Sequence, residues 1–145
     1  MKLINLKDLD MAIETLRSHG SAMVLVKNNN IICESSAAGI APYVQAIQSL
    51  GNSSRGAALA DKIVGRASAL LSVYARIQSA YAETISEGAI KIFTQHNVTC
   101  RYGKKVPLIL NRQMTDQCPF EHLVSDILNP EDAFLQLVQA TRITK

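Results

Sequence analysis

The sequence predicts one α/β domain, a mixed β-sheet covered by helices, over residues 1–145. Three observations carry that expectation. Apolar positions recur at helical spacing in several separated segments, and short apolar runs bounded by turn residues lie between them. A composition of 48% apolar and 19% charged residues supplies core enough for one compact unit with no disulfide or metal to staple it.

Asn5 is a good N-cap for a first helix, in which Leu6, Leu9, Ala12, Ile13 and Leu16 recur at helical spacing until Gly20 stops it. Residues 21–27 and 31–35 read as a β-hairpin, because Asn28, Asn29 and Asn30 between them tolerate the left-handed backbone of a tight turn. Pro42 opens a helix that residues 43–50 fill and Gly51-Asn52-Ser53-Ser54 ends. Ala60, Ile63, Val64, Ala67, Leu70, Leu71 and Tyr74 then fall on one face of a single long helix that advances about 100° per residue. Residues 81–85 are a strand, Ser86 caps a helix reaching about His96, and residues 98–102 are a strand that ends at a Gly103-Lys104-Lys105 turn. Residues 106–110 follow as a further strand, Pro119 and Pro130 each begin a helix, and residues 131–143 close the chain as an amphipathic helix.

Fifteen Lys and Arg against twelve Asp and Glu leave a charge of only +3 with no basic run, so no nucleic-acid footprint is visible. Cys33, Cys100 and Cys118, odd in number and irregularly spaced, form no disulfide framework and point to a reducing compartment. Charge interrupts the first eight residues before an apolar signal core can form, and no stretch is long and apolar enough to span a bilayer. The expected location is the cytoplasm.

Several residues invite a chemical reading beside a plainer structural one. Asp61 reads as a first-turn acid that interacts with the helix dipole. Lys62 and Arg66, one turn apart, form either a solvated basic face or an anion clamp. Gly65, costly inside a helix by about 1 kcal/mol, permits a close backbone approach. In Cys118-Pro119-Phe120-Glu121, proline at the first helical position makes Cys118 the N-cap and Glu121 the third helical residue, a capping box with a thiol in the hydroxyl's place. A thiol there is either a small half-buried residue or, with Arg112 near it, a lowered-pKa nucleophile. Cys118 and His122 have a spacing compatible with metal ligands but lack evident partners. His19 and His96 complement helix C-termini, and Asn111-Arg112 reads as a polar pair after a strand.

The stretch from Leu59 through Asp61 to Ala67, the pair Asn111-Arg112 and the tetrad Cys118-Pro119-Phe120-Glu121 together resemble a bacterial domain-of-unknown-function family of the cytidine-deaminase-like superfamily, over nearly the whole chain. The resemblance implies a three-layer fold and frequent oligomers. The superfamily's zinc enzymes carry His-x-Glu or Cys-x-Glu at one helix start and Pro-Cys-x-x-Cys at the next. The resemblance puts Leu59, Ser86 and Ala89 at the three metal-ligand positions and Asp61 at the proton-transferring Glu, so no zinc site and no cofactor are expected. The expected function is binding of a nucleotide-like or other anionic small molecule through Asn111, Arg112, Lys62 and Arg66. The alternatives are a zinc-free enzyme with Cys118 as nucleophile and Asp61 or Glu121 moving protons, and a homo-oligomeric module built on alanine-rich helix faces.

Overall fold

A computed structural model describes residues 6–111 and 113–143 of the chain. Helix α1 (Lys7–His19) presents Leu9, Ala12, Ile13 and Leu16 to the core and ends at Gly20, whose φ of 64° is the left-handed cap the sequence predicts. Its expected N-cap, Asn5, lies outside the described residues. Strands β1 (Met23–Lys27) and β2 (Asn30–Ser35) form the hairpin, with Asn28 and Asn29 at φ 52° and 66°. The Asp8 carboxylate of α1 accepts from the N–H groups of both turn residues at 2.9 Å, which ties the hairpin tip to the helix. Helix α2 (Ala41–Leu50) carries Pro42 in its first turn and runs into a 3₁₀ turn at Gly51–Ser54.

The remaining chain alternates strand and helix: β3 (Ala58–Val64), α3 (Arg66–Tyr74), β4 (Ser79–Ser86), α4 (Glu87–Gln95) and β5 (Thr99–Val106), then α5 (Pro119–Leu123) and α6 (Pro130–Ile143). The sheet order is β2-β1-β3-β4-β5. β1 is antiparallel to both neighbours, and β3, β4 and β5 are mutually parallel. Helix α1 covers one face, packing on Val24, Val26, Ala58, Ala60 and Tyr81. The other face, with Leu25, Leu59, Ala80 and Ala82, packs under α2, α3, α4 and α6, so the sheet is the middle of three layers. No helix among the described residues is long and apolar enough to cross a membrane.

The expected helix over residues 60–74 is two elements. Ala58 to Ala60 are buried because β3 is an inner strand with both faces covered, and such a strand lacks the polar alternation that separates it from a helix. Asp61 and Lys62 are therefore strand residues and share no helix face with Arg66. Gly65 is the N-cap of α3 rather than an interior helical residue. The Gly103-Lys104-Lys105 segment is no turn but continues β5 along the sheet edge, where lysines discourage pairing with another strand. Gly103 suits this position, since a Cβ there would stand 3.0 Å from the Glu83 carbonyl oxygen of β4. The expected strand over 106–110 reduces to an isolated bridge between Leu110 and Gln117, because Pro107 has no N–H for a ladder.

Candidate functional site

In the middle of β3, Asp61 pairs in register with Met23 of β1 and Ala82 of β4. Both partners belong to the core face beneath α2 and α3, so the half-buried carboxylate faces inward. Its Oδ1 accepts from the Ile63 N–H at 3.3 Å, and no cation pairs with it among the described residues. Burial pushes its pKa up to about 7, more than the Ile63 and Lys62 N–H groups pull it down. The nearby Tyr43 phenol of α2 is fully buried 2.8 Å from Ser72 Oγ, which in turn donates to the Ser68 carbonyl. Burial, and after it the Asp61 charge, raise the phenol's pKa.

Glu121 is the most constrained carboxylate in this region. It is buried, and its oxygens accept from Arg66 N–H at 2.6 Å and Ala67 N–H at 2.7 Å, two donors that the first turn of α3 would otherwise leave orphaned. The expected capping box is therefore distributed between two helices. Cys118 is the N-cap of α5 and Pro119 its first residue, but Cys118 makes no side-chain cap bond and Glu121 caps α3. Burial raises the Glu121 pKa against the two N–H bonds and the Arg66 charge, which lower it. Gly65 leaves room for this carboxylate: a Cβ would lie 2.1 Å from Glu121 Oε1, and one of the two would have to shift. The Arg66 guanidinium donates in return to the Val124 carbonyl at 2.9 Å and the Ile127 carbonyl at 2.5 Å. Arg66 and Glu121 thus bind each other's helix ends.

Of the other expected site residues, Lys62 is exposed on β3, and Asn111 closes its own turn, accepting from Thr115 N–H at 3.1 Å and donating to Thr115 Oγ1 at 3.2 Å. Arg112 lies outside the described residues. Cys33 and Cys100 are strand residues whose thiols burial pushes up, Cys100 to about 11. His19 ends α1 with Nδ1 2.7 Å from Glu34 Oε2, an oxygen that also accepts from the Ser21 hydroxyl. These two bonds, Ser21 first, hold the Glu34 carboxyl below the usual range. Among the described residues no three His, Cys, Asp or Glu side chains converge as metal ligands.

A groove of about 960 Å³ opens at the other end of the helical layer, where α2, α3 and α4 finish and α6 begins. Among the described residues, none of those expected to bind a ligand or act in catalysis lines it. Arg55 and Arg76 do, carried on two turns that the bond from Gly56 N–H to the Arg76 carbonyl, 2.8 Å, fastens together. Their guanidinium groups have no hydrogen bond or ion pair among the described residues. Arg76 stands at φ 60°, a conformation unusual for a side chain of its size. Tyr74 of α3 stacks on Phe134 of α6 with ring centroids 4.2 Å apart, and remains 37% exposed. His96 completes the lining at the end of α4, the helix terminus the sequence assigns to it.

A family model described as TM1506, domain of unknown function (DUF1893), matches residues 11–140. The chain belongs to the DUF1893 family. A crystal structure of a DUF1893 family protein (TM1506) from Thermotoga maritima superposes on the DUF1893 chain with a TM-score of 0.86 at 24% identity, covering 95% of this chain and 92% of that one. That likeness extends to the fold. No curated protein matches. Within the DUF1893 chain, sequence reasoning missed Arg55 and Arg76 because 21 positions separate them and only the pairing of two turns brings them together. The available signal for Tyr74 was its place at the end of an apolar stripe, which reads equally as core.

Proposed function

We propose that this chain binds an anionic small molecule of nucleotide size, on a cytidine-deaminase-like scaffold from which the zinc site has been lost. The scaffold reading is supported by the antiparallel hairpin set beside three parallel strands joined through α3 and α4. The starts of α2, α3 and α4 do not fit a zinc ion. They read Ile40-Ala41-Pro42-Tyr43, Gly65-Arg66-Ala67-Ser68-Ala69 and Ser86-Glu87-Gly88-Ala89, with no thiol or imidazole among them. The register that puts Leu59 and Asp61 at a helix start gives way to these, since both lie in β3.

A bare N-terminus of α3 would suit an oxyanion, but the Glu121 carboxylate already takes its N–H groups. The anion's seat is therefore the groove, and the observation that carries this reading is the pair of guanidinium groups of Arg55 and Arg76 on its wall, without partners among the described residues. Arginine forks match phosphate and carboxylate oxygens geometrically. The carbonyl ends of three helices also converge there, so part of the cationic charge offsets their dipoles. Thermal unfolding with inorganic pyrophosphate tests the reading. At one hundred times its dissociation constant the anion adds about 2.7 kcal/mol to the wild type. The Arg55→Ala, Arg76→Ala double variant is expected to lose that gain, and an undiminished gain refutes the groove as the anion site.

A further inference from the structure

The groove carries groups besides its cations, and they say what accompanies the anion. The turns of Arg55 and Arg76 supply the cations. The last turn of α3 and the start of α6 supply a further part of the lining. There Tyr74 lies nearly parallel to Phe134, with 10° between the rings. Glu131 lies three residues before Phe134, hence beside it on the helix surface, and also lines the groove. Its backbone N–H is engaged by Asn129 Oδ1 at 2.8 Å, but its carboxylate has no ion pair among the described residues. A partly exposed aromatic ring and a carboxylate without an ion pair among the described residues suit a flat ring whose edge presents N–H donors. The groove volume of about 960 Å³ is ample for a mononucleotide.

We infer that the ligand is a nucleoside phosphate, its ring stacked on Tyr74, its N–H edge donating to Glu131 and its phosphate held by Arg55 and Arg76. The inference rests on the anion-binding reading above. Among bases, guanine presents two adjacent N–H donors that a carboxylate accepts together, whereas adenine offers only its exocyclic amine beside an acceptor nitrogen. Guanosine monophosphate is therefore the probe that should bind best.

Calorimetric titration of the full chain with guanosine monophosphate, adenosine monophosphate and ribose 5-phosphate tests this. Ring stacking predicts that guanosine monophosphate binds at least about tenfold tighter than ribose 5-phosphate. Tyr74→Leu, which keeps an apolar cover on Phe134, should shrink that gap. Glu131→Gln, at an exposed position, should erase the preference over adenosine monophosphate. Equal binding of guanosine monophosphate and ribose 5-phosphate, both lost in the Arg55→Ala, Arg76→Ala variant, overturns the ring assignment and leaves the anion site standing. Binding of all three that survives that double variant overturns both readings.

Discussion

Replacing Gly65 with alanine probes the junction of α3 and α5 with a single methyl group. Backbone strain does not enter, since φ −107° and ψ −170° are open to alanine. The added Cβ, however, would stand 2.1, 2.5 and 2.8 Å from Oε1, Cδ and Oε2 of Glu121, so the carboxylate has to withdraw from the N–H groups of Arg66 and Ala67. A hydrogen bond to a charged group contributes about 1.5–3 kcal/mol. Loss of most of two such bonds, less the roughly 0.4–1 kcal/mol gained by restricting the unfolded chain, leaves a destabilisation of about 2–4 kcal/mol. For a chain of this size that is roughly 6–12 °C in Tm. Urea denaturation read as a shift in midpoint at constant slope measures it. The decisive comparison is Gly65→Ala in a Glu121→Ala background, where no carboxylate remains to be displaced and the methyl should be neutral or slightly stabilising. A Gly65→Ala chain within about 0.5 kcal/mol of the parent, or one that loses as much without Glu121 as with it, refutes the reasoning.

Asp61 makes stability depend on pH. Its folded pKa near 7, against an ordinary 3.8, means that between those values the folded chain keeps a proton the unfolded chain has released, so stability falls as pH rises through that window. Asp61→Asn retains an acceptor for Ile63 and is expected to equal the wild type near pH 4 and exceed it by about 2–4 kcal/mol at pH 8; parallel pH profiles contradict the buried carboxylate. Iodoacetamide at pH 8 is expected to label Cys118 before Cys33 or Cys100. With its pKa near 11 only about one Cys100 in a thousand is thiolate at that pH, and early labelling of Cys100, located by peptide mapping, would show that β5 does not shield it.

The elements legible in the sequence are those whose signals are local. Gly20, the two left-handed asparagines, Pro42, the Ser86 cap, which accepts from Ala89 N–H at 3.1 Å, and the prolines that start α5 and α6 each act within a few residues, and each stands where expected. β3 was not legible, because burial on both faces removes the alternation that marks a strand and alanine at positions 58 and 60 favours the helical reading. β5 hid behind a glycine and two lysines, residues chosen by an edge position that only the assembled sheet defines. The tetrad from Cys118 to Glu121 was read in the right register with the wrong partner. Spacing reports which group reaches a helix's own first turn, and carries no information about another helix brought alongside. The groove shows the same limit, since its cations come from separate turns.

Arg66 and Ala67 reach their carboxylate partner across 55 and 54 positions of chain. During synthesis, α3 and every strand of the sheet emerge before that carboxylate exists. Until then two N–H groups at the start of a core helix lack their acceptor, and the core cluster that holds Leu70 and Leu71 lacks Val124, Ala133 and Leu137. The chain's final quarter is therefore what completes its cooperative unit rather than an appendage to a finished fold. A fragment ending after β5 would keep every strand of the sheet and still expose core.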